Sequence, residues 1–196
     1  MQADKEPWLA VCYSAFWPGI GHLYAGRIYR GMTIAILEAL LFVLVLWQYV
    51  APSGRFSVAM ILLAAALALP VFSYFDAHKC ARNANEASFE EEQHRGKDPW
   101  LAVFLTYIFP GVGHFYIRRW AIAVLFLITN MGVFAVAAVV DFKYCRDSVV
   151  LTACVGTVAN LYGVFICYSA YSLSPVRRSA PGNAVKTFFL SLSVMA

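Results

Sequence analysis

The chain has 196 residues, of which 61% are hydrophobic and 13% charged. A water-soluble domain is usually about 45–50% apolar and about 25% charged, so a soluble globule is excluded by lack of polar surface and lipid is the expected solvent. The net charge of +4 comes from 15 basic and 11 acidic residues, and the bases sit in short clusters beside apolar runs, which points to membrane orientation rather than to nucleic-acid binding.

In chain order, the first apolar run is Trp8–Trp17, stopped by Pro18-Gly19. It is half of the roughly twenty residues needed to cross a hydrocarbon core and falls in the range of re-entrant or interfacial segments. Its flank Asp4-Lys5-Glu6 is not basic and the segment recurs mid-chain, so a cleaved signal peptide is not expected. Gly31–Ala51 is long enough to span, Pro52-Ser53-Gly54-Arg55 is a tight turn, and Ser57–Phe75 spans back with Pro70 as an expected kink. Asp76–Asn83 then carries polar residues out of the bilayer, and residues 86–96, with Glu90-Glu91-Glu92, form a solvated acidic linker. The plan then repeats. Trp100–Phe109 is short and ends at Pro110-Gly111, Trp120–Val140 spans, Asp141–Asp147 turns, and Val149–Tyr171 spans back. The expected domains are a membrane repeat at 1–85, the linker at 86–96, a second repeat at 97–182, and a short apolar tail at 183–196 that reads as a surface segment or the start of a longer one.

The repetition is explicit in sequence. Between Lys5–Tyr24 and Lys97–Tyr116, offset by 92, eleven of twenty positions are identical. They include Pro18, Gly19, Gly21, His22 and Tyr24 in the first copy and Pro110, Gly111, Gly113, His114 and Tyr116 in the second. In lipid, a broken helix is tolerated only where its freed backbone groups find partners. Proline removes a donor and the glycines permit angles that a side chain would forbid; His22 and Tyr24 are near enough to donate to the exposed carbonyls. Trp8, Trp17, Tyr24 and Tyr29 suit the headgroup level. The motif is thus expected to be a helix–turn wedge at the interface, pinned by aromatics.

Charge chooses the topology. If both short runs cross, the two sides hold seven and eight basic residues. If both dip and return, one side holds twelve of the fifteen, leaving only Arg55, Lys143 and Arg146 opposite, and the positive-inside rule selects this arrangement. The expected fold is an all-α integral membrane protein of two parallel repeats. Each is a short re-entrant or interfacial helix plus a two-helix transmembrane hairpin, about four spanning helices in all, with the N-terminus and linker on the cytoplasmic face of the inner membrane.

The candidate chemistry is sparse. A metal site from His22 and His114 is the alternative to a structural role, but zinc usually takes three or four protein ligands, and no carboxylate or cysteine accompanies them at a ligand-like spacing. Glu38 and Asn130 are also 92 apart, each about two turns into a spanning helix. Intramembrane ionisable groups are functional candidates, whereas a hydrogen-bonded pair across helices is structural glue; an amide in one copy argues against a symmetric proton path. Asp76 corresponds, by a shift of 93, to Ser169 and so reads as a tolerant polar position. The five cysteines, Cys12, Cys80, Cys145, Cys154 and Cys167, show no paired spacing and read as apolar packing residues. No catalytic constellation and no cofactor site are expected, and the expected partners are the bilayer and a membrane protein or second copy.

Pro-Trp-Leu-Ala, an apolar run, Pro-Gly-x-Gly-His-x-Tyr, then Arg-x-x-Arg-Gly before a spanning helix resembles the two-helix transmembrane ("TM-two") type of domain. It is also similar to the membrane region preceding the catalytic part of some long bacterial type I signal peptidases. That resemblance implies a serine nucleophile in a Pro-Ser-Gly-Ser-Met setting and a lysine base. Here Pro52-Ser53-Gly54 is followed by Arg55 and Phe56, so the nucleophile's position is occupied by arginine. The expected function is a non-catalytic membrane scaffold or anchor, with the membrane portion of such a peptidase, or a small transporter or channel, as alternatives.

Overall fold

The computed structural model describes residues 5–85, 96–140, 149–175 and 182–194. The regular elements among these residues are all helices, without a strand among them. The expected linker (apart from Gly96), the Asp141–Asp147 turn and Arg177 and Arg178 lie outside the described residues. The chain divides into two compact units, Met1–His94 and Arg95–Ala196, parting at the acidic stretch.

In the first unit, α1 (Pro7–Phe16) is followed by α2 (Ile20–Tyr24), α3 (Ile28–Val50) and α4 (Phe56–Arg82). Helix α1 opens with proline at its first position, where a missing N–H costs nothing. It stops at Trp17, held extended (φ −151°, ψ 127°) as the residue before a proline must be. The turn of Pro52-Ser53-Gly54-Arg55 joins α3 to α4, closed by the Arg55 N–H on Gln48 Oε1 at 3.0 Å. Helix α4 runs through Pro70 and continues to Arg82; the polar exit expected from Asp76 onward is therefore not a separate segment but the last two turns of the helix.

The packing of α1 is against the C-terminal end of α4. Ala10 meets Ala77, Cys80 and Ala81, with Tyr24 laid over them, and such small side chains allow close backbone approach. The start of α1 is tied to the end of α4: the Lys5 N–H donates to Asn85 Oδ1, and Asn85 Nδ2 donates to the Lys5 carbonyl, both at 2.7 Å. At the other end of α1, Trp17 Nε1 donates to the Ala35 carbonyl at 3.3 Å and its ring lies 6.2 Å from that of Phe42. The chain thus enters beside the end of α4, runs ten residues along it, or about 15 Å, and returns through α2 to begin α3 at the end where it entered. Trp17 lies at the far tip of this excursion, not level with Trp8 as expected from its aromatic character.

The second unit has α5 (Pro99–Ile108), α6 (Val112–Tyr116), α7 (Trp120–Val140), α8 (Val149–Ser172) and α9 (Gly182–Val194). Asp98 caps α5, its Oδ1 accepting the Trp100 and Leu101 N–H groups at 2.8 and 3.3 Å, a cap worth about 1 kcal/mol. Ala102 packs with Ile117 and Ala170 under Tyr116 and Leu173. The apolar tail is helix α9, docked on this unit: Phe188 is buried and meets the Trp100 ring edge-on at 5.2 Å, while Phe189 lies 5.2 Å from Tyr168 and 6.0 Å from Tyr171.

Candidate functional site

The turn between each short helix and the next is built by the Pro-Gly-x-Gly-His-x-Tyr motif, and its two glycines serve different ends. Gly19 and Gly111 take φ of +103° and +94°, a left-handed conformation that side chains resist. Gly21 and Gly113 are not in that region. A Cβ on Gly21 would lie 2.0 Å from the Ala10 carbonyl oxygen and 2.4 Å from Ser14 Oγ; on Gly113, 1.9 Å from the Ala102 oxygen and 2.1 Å from Thr106 Oγ1. The second glycine therefore gives space rather than a backbone angle, correcting the expectation from sequence.

His22 and Tyr24 also find other partners than the freed carbonyls. The Tyr24 hydroxyl accepts the Glu6 N–H at 3.0 Å, and the Tyr116 hydroxyl accepts that of Asp98 at 3.1 Å, so each tyrosine holds the start of the short helix. Lys5 and Lys97 each sit 5.2 Å from the ring of their tyrosine, within cation–π range. Burial pushes the Tyr24 phenol up to about 12, keeping it a neutral hydroxyl.

His22, fully buried, lies 2.7 Å through Nε2 from Asp76 Oδ2, while Arg30 donates to Asp76 Oδ1, also at 2.7 Å. Three helices converge on this carboxylate: α2 brings the imidazole, α3 the guanidinium, α4 the acid. One turn back on α4, Ser73 Oγ accepts the Gly19 N–H at 3.2 Å. One turn on, Cys80 brings its sulfur into the same cluster, in which the ligand atoms of His22, Asp76 and Cys80 lie within 4.8 Å of one another. A carboxylate and a cysteine thus do accompany His22, contrary to the expectation from spacing; they come from an i, i+4 pair on α4. As arranged, both carboxylate oxygens are occupied and the guanidinium supplies the compensating charge. A divalent ion held by these atoms would have to replace the direct His22–Asp76 contact on Oδ2, with Arg30 staying on Oδ1; as it stands, the cluster is a charge-compensated hydrogen-bond network.

The second unit carries the same frame with the charge removed. His114 Nε2 lies 3.1 Å from Ser169 Oγ, with the Phe126 ring 4.8 Å away. Burial lowers the His114 pKa below the ordinary histidine value, so the ring is held neutral. At the positions matching Arg30 and Cys80 stand Ile122 and Leu173.

Glu38 lies on the buried stripe of α3 with Gly31 and Ile34, and its Oε2 has no hydrogen-bond partner. Asn130 is half-buried on α7. The polar link between α7 and α8 is made one residue earlier, by the hydroxyls of Thr129 and Tyr162. Cys12, Cys80 and Cys167 are buried thiols outside any disulfide. Sequence reasoning missed Arg30 and Cys80 at the Asp76 cluster, and Ser14 and Thr106 against the second glycines. The Asp76-x-x-x-Cys80 spacing, which places both on one helical face, was the available signal.

Residues 101–175 match a family of unknown function, DUF6677. The matched span runs from the first turn of α5 to just beyond α8 and includes His114 and Ser169. No curated protein matches the chain, and no solved structure does.

Proposed function

We propose that this is a multi-pass membrane protein whose units are non-catalytic anchoring or scaffolding modules, inserted from one face of the bilayer. The observation that carries the reading is the mismatch between apolarity and burial in α3 and α4. Their most apolar windows have mean hydropathies of 2.1 and 2.3, yet only 11% of each is buried. A core helix of a soluble protein would be mostly buried; a helix apolar on all sides and facing outward needs lipid. At 23 and 27 residues they reach about 34 and 40 Å, enough for a hydrocarbon core of about 30 Å.

The polar network supports a re-entrant reading of α1 and α2. Lys5–Asn85, His22–Asp76 and Arg30–Asp76 all lie at the end where α3 begins and α4 stops, and the ten-residue α1 reaches only about halfway across. By the same reading α5 and α6 dip, α7 and α8 span, and the basic end faces the cytoplasm. The resemblance to signal-peptidase membrane regions fits this placement, with Ser53 and Arg55 in the distal turn and no serine–lysine pair there. Alkaline carbonate extraction tests the membrane assignment directly: the chain should stay with the membrane pellet, and release into the supernatant would contradict it.

A transport reading has one observation in its favour, the unpartnered and 1% exposed Glu38 at mid-helix depth. Ion flux in proteoliposomes that vanishes in Glu38→Gln would support it; no flux in either protein leaves the scaffold.

A further inference from the structure

Beside the Asp76 cluster, where α2 turns into α3 and α4 ends, lies a cavity of about 500 Å³ lined by Gly26, Arg27, Tyr29, Arg30, Cys80 and Asn83, among others. Its volume falls in the range of small-molecule sites, about 300–1,000 Å³. The charge around it is unequal. Arg27, Arg30 and Lys79 are all within electrostatic reach of the Cys80 thiol, with Asp76 the one acid among them. Asp76 is already engaged by His22 and Arg30. That engagement orients Arg30: one terminal nitrogen is held on Asp76 Oδ1, and Asp76 is held in turn by a fully buried imidazole. Arg27 is exposed at the cavity wall and has no ion-pair partner among the described residues. Tyr29 and Asn83 line the same cavity. Two arginines, one pre-positioned and one open, suit the oxygens of a phosphate.

We propose that this cavity binds a phosphate-bearing anion, and that its natural source is the headgroup of an acidic phospholipid. This rests on the membrane reading above, which puts the cavity at headgroup level on the basic face. Arg27 and Arg30 take the phosphate oxygens; His22 and Asp76 are positioning residues that fix Arg30. The site belongs to the first unit alone, because Ile122, Ser169 and Leu173 stand where the second unit would need Arg30, Asp76 and Cys80. The repeat therefore keeps the scaffold in both copies and the anion site in one.

The test uses the full chain purified in neutral detergent, with thermal unfolding followed as short-chain phosphatidylglycerol, short-chain phosphatidylcholine or inorganic phosphate is added. Phosphatidylglycerol should raise the melting temperature saturably and phosphatidylcholine should not. Arg27→Gln should weaken the apparent affinity by about tenfold or more, the scale of one lost charge-assisted hydrogen bond. Arg30→Lys, which keeps the charge but loses the fork, should also weaken it, while Arg55→Gln and Arg119→Gln should leave it unchanged. An equal shift with phosphatidylcholine, or an unaltered affinity in Arg27→Gln, overturns the site; a full shift with inorganic phosphate alone overturns the lipid assignment. Vesicle flotation separates the two layers of the argument. A chain that floats with phosphatidylcholine vesicles yet shows no acidic-lipid shift contradicts only the site, whereas a chain that stays in the aqueous fraction contradicts the membrane reading itself.

Discussion

Replacing Gly21 by alanine adds one methyl group where α2 approaches the backbone of α1 closely. The new Cβ would stand 2.0 Å from the Ala10 carbonyl oxygen and 2.9 Å from its carbon. These atoms belong to the backbone of α1, so no rotamer change relieves the clash; α2 must withdraw by roughly 1 Å, enough to forfeit a quarter to a half of each dispersion contact across the seam. Overpacking of this kind costs about 1–3 kcal/mol. Because His22 is the next residue, withdrawal also stretches its 2.7 Å contact with Asp76, worth about 1–3 kcal/mol when a buried partner is lost. The expected destabilisation is about 4 kcal/mol, read as loss of helical circular dichroism on heating or denaturant titration in detergent. Gly113→Ala, 1.9 Å from the Ala102 oxygen, should behave alike. Gly163→Ala, with nothing within 4 Å, should be neutral or stabilising by up to about 1 kcal/mol. If Gly21→Ala unfolds within about 0.5 kcal/mol of the parent chain, a difference typical of inconsequential surface changes, α2 does not lie against α1 and the wedge geometry is wrong.

Other outcomes follow from the same contacts. Asp76→Ala strips the partner from a buried imidazole and should cost about 1–3 kcal/mol, while Asp76→Ser, copying the His114–Ser169 pair at 3.1 Å, should recover part of that loss in the same unfolding assay. His114 has a folded pKa below its unfolded value, so its contribution is present above about pH 6.5 and is lost as pH falls, because the unfolded chain takes up the proton more readily; melting temperatures compared across that range should show a steeper acid-side fall in the parent chain than in His114→Asn, and equal slopes would refute the assignment. Phe188→Ala removes the buried face that holds α9 on Trp100; a cost of about 3 kcal/mol and faster proteolysis within α9 are expected, and unaltered cleavage would mean the helix is not docked.

Much of the helical frame was legible because it is local. The 92-residue offset, the Pro-Gly breaks and the length of each apolar run locate the long helices within a few residues except at the end of α4, which continues seven residues past the expected Phe75, and Trp120–Val140 coincides with its expectation. What was not legible is long-range. The His22–Asp76 pair joins residues 54 apart and Arg30–Asp76 residues 46 apart, contacts that arise only when α2, α3 and α4 meet. Gly21 illustrates a subtler loss: its identity is set by the Ala10 carbonyl opposite, which periodicity does not reveal. Trp17 was placed by its chemistry at a headgroup, whereas the direction of α1 carries it to the tip beside Ala35 and Phe42. The shift from Asp76 to Ser169 looked like tolerance and is better understood as a change of network, since Arg30 changes to Ile122 along with it.

The central claim, that each unit enters and leaves the bilayer by the same face around a two-helix hairpin, is tested most directly by labelling single cysteines in intact cells with a membrane-impermeant maleimide. In a cysteine-free background, Ser53→Cys in the α3–α4 turn, or Cys145 between α7 and α8 restored as the single cysteine, should label from outside, and Ser88→Cys between the units should label only after lysis. Labelling of Ser88→Cys in intact cells, or opposite exposure of Ser53→Cys and Cys145, would contradict the account.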